Sequence, residues 1–285
     1  MHNPNRHKGA NYLKEVASMK KLVTLISFAA ITAGAICAFA GMAPQTGTNE
    51  SFHDINVAAG AQPDALGRVC IFCHTPHNAM NTSGLPDPAP LWNHDLGDTA
   101  SSSGWISYQW AGSGNAGLAA IGDPLMGPTR LCLSCHDGSV NFDQHGPAAS
   151  PYAQAGSVAF TPASPRYIGG GKDLSTTHPV GFSYLDAETA RNAGGANELA
   201  ANTLTFATAI NPAVTYTDPA KITRGYSTTI KSVLYQGEFM TCATCHDVHN
   251  KNNALMTGPA LAAGVNFFVY ADENKSLLCL SCHNK

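Results

Sequence analysis

Eight of the nine cysteines in this 285-residue chain fall into one repeated pattern, two cysteines three positions apart followed at once by a histidine. The four copies are Cys70-Ile71-Phe72-Cys73-His74, Cys132-Leu133-Ser134-Cys135-His136, Cys242-Ala243-Thr244-Cys245-His246 and Cys279-Leu280-Ser281-Cys282-His283. With this composition, chance would produce roughly 0.01 such motifs, so the pattern is a chemical instruction. Two thiols at this spacing share one helical turn and can each add to a vinyl group of haem, and the adjacent imidazole then reaches the iron. The eight cysteines are therefore expected to carry four covalent, thioether-linked c-type haems, with His74, His136, His246 and His283 as iron ligands. Zinc gives no reason for a histidine after every second cysteine, and a thioredoxin-type disulfide uses one such pair on a βα unit, not four.

What such irons do depends on the second axial position, because a filled site moves electrons and an open one can do chemistry. Outside the motifs and beyond residue 40, the histidines are His53, His77, His94, His145, His178 and His249. His77 and His249 each follow a motif histidine by three residues, too close to bind the same iron. Such a pair most naturally holds two different haems, with irons on the order of 10 Å apart. His53 precedes the first motif, where Asp54 or a backbone carbonyl could fix its tautomer. His178 precedes Pro179, whose ring keeps the segment extended. His94, after Leu91-Trp92-Asn93, and His145, in a Gly/Pro-rich stretch, read as spare polar residues and are left out of the site. No methionine is singled out by its context, so all-histidine ligation is preferred.

Met19-Lys20-Lys21 opens an apolar run that ends in Ala38-Phe39-Ala40, the layout of a cleavable export signal. The division expected is 1–18 as a mis-annotated start or extended leader, 19–40 as signal peptide and 41–285 as the haem-bearing domain. An uncleaved membrane anchor is the alternative, since the run is nearly long enough to span a bilayer. Cys37 would leave with the signal, and no other segment is apolar enough to span a membrane. The formal charge of −3 conceals an excess of basic residues before position 40, and the remainder is acidic. An acidic chain with 12% charged residues is not a nucleic-acid binder, and it favours a basic face on a redox partner.

The stretches Phe52-His53-Asp54, Cys70 to Asn78, Pro90-Leu91-Trp92-Asn93, Leu131 to Gly138, His178-Pro179-Val180-Gly181-Phe182 and Cys242 to Asn250 resemble bacterial multihaem cytochromes with the doubled haem-binding motif, often grouped with the cytochrome c3 type. The resemblance runs from Phe52 to the C-terminus and is concentrated at those islands. It implies that His53, His77, His178 and His249 are the four distal ligands, giving four bis-histidine haems. Some tetrahaem and hexahaem relatives polymerise outside the cell with haems stacked along a filament. There a histidine of the kind represented by His77 can ligate a haem in the next subunit, which makes the chain itself an expected partner alongside redox-partner cytochromes.

The motifs are separated by 57, 105 and 32 residues, with Gly, Ala, Ser and Pro dominating long intervals that lack helical or alternating periodicity. The expected fold is mostly irregular coil with short α-helices wrapped around stacked haems, and a small β-hairpin between Ala213 and Tyr235. About 60 residues serve each haem, so much of the buried apolar surface should be porphyrin. The expected function is electron transfer rather than catalysis, as an extracellular filament subunit. A discrete periplasmic or outer-surface shuttle is the alternative, and a multihaem reductase with an open iron is a more distant one.

Overall fold

A computed structural model of the chain describes residues 48, 51–80, 85–87, 89, 91–110, 118–146, 152–204, 229–249, 255–256, 265–266, 268–269 and 276–284. These residues fall within the unit Pro44–Lys285. The leader expected over 19–40, the preceding 1–18 and Cys37 lie outside the described residues. Among the described residues, no helix is long and apolar enough to cross a membrane.

Regular structure is brief and sits mostly at the motifs. The first occupies a single 3-10 turn, Cys70–Phe72. The second lies on α1, Pro128–His136. The third is α4, Cys242–Cys245, and the fourth lies on α5, Leu277–Leu280, and the turn that follows. Between them come α2, Tyr184–Arg191, and α3, Ile230–Val233. Strands β1, Leu255–Met256, and β2, Val265–Asn266, pair antiparallel, with Leu255 opposite Asn266. The hairpin expected over Ala213 to Tyr235 lies in part outside the described residues. Its described end is helical instead, because the Thr229 hydroxyl caps α3 by accepting from the Ser232 N–H at 3.2 Å.

α1 is the best-formed motif helix, and local sequence explains both of its ends. Pro128 stands at its first position, where the fixed φ suits a helix and the missing N–H is no loss. The preceding Gly127 has φ 58°, and a Cβ there would come within 2.8 Å of the Tyr235 ring. The helix stops at Gly138, with φ 73°, where a Cβ would collide with the Phe160 carbonyl. Along α1, Leu133 is 1% exposed and packs with Trp105, Leu125 and Leu174. Cys132 and Cys135, three apart, share another face.

A second apolar cluster joins Tyr184, Ala200, Ile230, Val233, Leu234 and Met240 with the motif cysteine Cys282. Ser183 caps α2 through the Asp186 N–H at 3.2 Å, and the Tyr184 hydroxyl donates to the Ala200 carbonyl at 2.9 Å. Among the described residues, two apolar clusters each include a residue of a motif, while Phe52, Leu91 and Ile168 stay exposed beside candidate ligands. Apolar surface left open next to candidate ligands is what a porphyrin face would cover.

Candidate functional site

The motif sulfurs follow one another through space in the order they have along the chain. Cys73 is close enough to Cys132 and Cys135 for its charge to oppose theirs. The Cys132 thiol hydrogen-bonds that of Cys242, 110 positions later, which raises Cys132 well above the ordinary thiol range and lowers Cys242. Cys245 in turn lies in the field of Cys282 and Cys279. α1 packs on α4, and the Thr129 hydroxyl accepts from the Cys242 N–H at 3.2 Å, which docks the third motif on the second. Burial pushes Cys73, Cys245 and Cys282 up to about 12, which marks these sulfurs as lying in apolar surroundings.

The candidate ligands meet in pairs that the sequence did not specify. Two imidazoles on opposite faces of one iron have ring centres about 6.2 Å apart, taking a metal–nitrogen length of about 2.0 Å and about 1.1 Å from nitrogen to ring centre on each side. His74 faces His249 at 6.1 Å, His53 faces His136 at 6.3 Å, and His178 faces His283 at 6.4 Å. Three independent pairs at this separation fit one iron each. Every pair joins a motif histidine to a histidine distant in sequence, so each ligand pair would also staple two segments together.

Backbone carbonyls set the tautomers of two of these rings. His136 Nδ1–H donates to the Arg166 carbonyl at 2.8 Å, and His178 Nδ1–H to that of Pro179 at 3.0 Å, which leaves both Nε2 atoms free to bind metal. His53 differs from expectation: its Nδ1 is buried without a hydrogen-bond partner among the described residues. The ring is instead gripped by stacking on Phe268 at 4.8 Å. Burial, reinforced by the charges of His136, His246 and His249, pushes His53 down to about 3. Burial also lowers His136 and His178, which favours the neutral form that ligates.

The remaining two candidates are exposed. His246 stands in the electrostatic field of both His53 and His136, beside the second pair. His77 projects from a turn in which the buried Thr75 hydroxyl donates to the His77 carbonyl at 2.7 Å and Asn78 takes φ 56°. No ring of a described residue packs on it.

Two histidines set aside in the sequence are buried. His94 is fully buried, with Nδ1 2.9 Å from the Gln144 carbonyl and Nε2 3.1 Å from the Cys135 sulfur. His145 is 3% exposed, meets the Phe72 ring edge-on at 5.2 Å and lies 3.4 Å from Asp64, which Arg68 pairs at 2.7 Å. The signal for His94 was its place directly after Leu91-Trp92-Asn93; His145 carried none, because a Gly/Pro-rich stretch reads as open loop.

Paired imidazoles at iron-spanning distance and open apolar surface beside them fit haem. A family model described as "Doubled CXXCH motif" matches residues 236–285, which span the third and fourth motifs. No curated protein matches the chain. The match supports a multihaem c-type cytochrome with covalently bound haem and an electron-transfer role, a class typically exported.

Proposed function

We propose that the chain carries four haems, each iron held between two imidazoles, and that copies join head to tail into an extracellular filament taking respiratory electrons out of the cell. The observation that carries this reading is the set of three imidazole pairs, 6.1 to 6.4 Å apart. Bound haem supplies an iron that alternates between ferric and ferrous states, one electron at a time. The chain's own part is to close both faces of each iron against outside ligands, which favours transfer over substrate chemistry. Sulfurs of consecutive motifs lying side by side favour a single row of redox centres from the first motif to the fourth.

The filament reading rests on His77. The three pairs use six of the eight candidate ligands, and His77 is offered to solvent on a turn fixed by Thr75. A ligand presented outward by one copy to the His246 motif of the next is a heterologous contact, and such contacts build open fibres when they do not close into a ring.

Negative-stain electron microscopy of the haem-loaded protein and of His77→Ala tests this. The expected result is long uniform filaments for the wild type and discrete haem-loaded particles for the variant. Filaments that persist in His77→Ala would overturn the joint. Small particles alone for the wild type would leave the discrete shuttle as the function.

A further inference from the structure

Residues 91–95, between the first two motifs, are bonded to both. On one side the Asn93 N–H donates to the Cys73 carbonyl at 2.9 Å, the Thr75 N–H donates to the Leu91 carbonyl at 3.0 Å, and the Asn93 side-chain amide reaches the Ile71 carbonyl. The Trp92 ring meets the His74 ring edge-on at 6.0 Å. On the other side His94 reaches the Cys135 sulfur at 3.1 Å. The 144–146 turn completes the seat: the Gln144 carbonyl holds His94 Nδ1, the Gln144 side chain accepts from the Asp95 N–H at 2.8 Å, and the Gly146 N–H donates to the Asn93 carbonyl at 2.7 Å. Trp92 and His94 themselves touch, with ring centres 6.3 Å apart.

A contiguous line therefore runs from the His74 imidazole through Trp92 and His94 to the Cys135 sulfur. Both intermediate rings are buried, Trp92 at 7% exposure and His94 at 0%. Close-packed interiors do not deform continuously, so a line of this kind transmits position. The Trp92 indole N–H is also buried without a hydrogen-bond partner among the described residues, an unmet donor beside the first motif that suits the carboxylate of a haem propionate.

We propose that residues 91–95 form a brace between the first two haems, in which His94 is a positioning residue fixing the haem of Cys132 and Cys135 against that of Cys70 and Cys73. This rests on the reading of the motifs as haem sites. The carbonyl of Gln144 can only accept, so it takes the Nδ1–H, and the Nε2 side of the ring is left packed against the sulfur. Alanine at 94 removes the strut and leaves a cavity; phenylalanine fills the space and loses both polar contacts; glutamine keeps an amide N–H for the carbonyl.

The test compares wild type, His94→Ala, His94→Phe and His94→Gln, all haem-loaded, by Soret circular dichroism and by stepwise redox titration. Interacting haems give a two-lobed dichroism band whose size and sign follow their relative placement. The expected result is a changed band in the Ala and Phe variants with haem content intact. One redox step should also shift by about tenfold in its reduced-to-oxidised ratio, which is 59 mV for a one-electron couple. His94→Gln should stay close to wild type. An unchanged band and unchanged titration in both Ala and Phe variants, or a Gln variant as disturbed as they are, would overturn the brace. Failure of the haem reading would show separately, as missing haem in the wild-type protein itself.

Discussion

His178→Ala is expected to turn the fourth-motif haem from a closed site into one that binds carbon monoxide, raising uptake by the reduced protein from about zero to about one per chain. His178 faces His283 at 6.4 Å and is turned toward it by its Nδ1 bond to the Pro179 carbonyl. It belongs to neither apolar cluster, so its removal opens a coordination position without emptying a core. The variant should keep its covalent haem, because Cys279, Cys282 and His283 are untouched. The same substitution at His53 is expected to open the second-motif haem, with more damage, since that ring is stacked on Phe268. Carbon monoxide titration followed in the Soret band reads both. No uptake by His178→Ala would mean that the 6.4 Å pairing does not describe the iron's ligands.

The second large effect is on folding. Replacing Cys132 and Cys135 together by serine removes the attachment of the haem at α1, the helix that packs on both α4 and the Gly97–Ala100 turn. A porphyrin buried over some hundreds of Å² is worth on the order of 10 kcal/mol at about 25 cal/mol per Å². A whole domain has about 5–15 kcal/mol of net stability. The two apolar clusters of the described residues are small beside such a loss. The expected outcome is that no soluble protein carrying the other three haems accumulates, read by haem staining of exported protein. A stable three-haem product would mean that protein packing, not porphyrin, holds the chain together.

The sequence made the chemistry legible because the thioether motif is local: two thiols and an imidazole within five residues carry their meaning wherever they are placed. His249 and His178 were legible as candidates too, since they stand beside a motif or a proline. Which histidine meets which motif was not legible. His53 reaches His136 and His74 reaches His249 only after segments more than 80 residues apart are folded together, and no periodicity encodes that. Likewise the contact between Cys132 and Cys242 comes from docking α4 on α1, through Thr129.

His94 and His145 show the opposite failure. Both sit in short polar or glycine-rich stretches that read as surface loop, yet both are buried, because irregular segments form the interior when helices are this short. The hairpin expected over Ala213 to Tyr235 lies largely outside the described residues; at its described end the Thr229 hydroxyl caps α3. Gly127 and Gly138 were visible as glycines, but their roles at either end of α1 depend on the Tyr235 ring and the Phe160 carbonyl, which only the fold brings near.

Closure of every iron by two histidines is the feature on which the proposed function depends. Its most direct test is one preparation of the exported protein, assayed for haem per chain by pyridine haemochrome and for spin state by electron paramagnetic resonance of the oxidised form. The account predicts four haems per chain, all low-spin. Fewer than four, or a high-spin signal amounting to one haem per chain, would contradict it and bring back a site open to substrate.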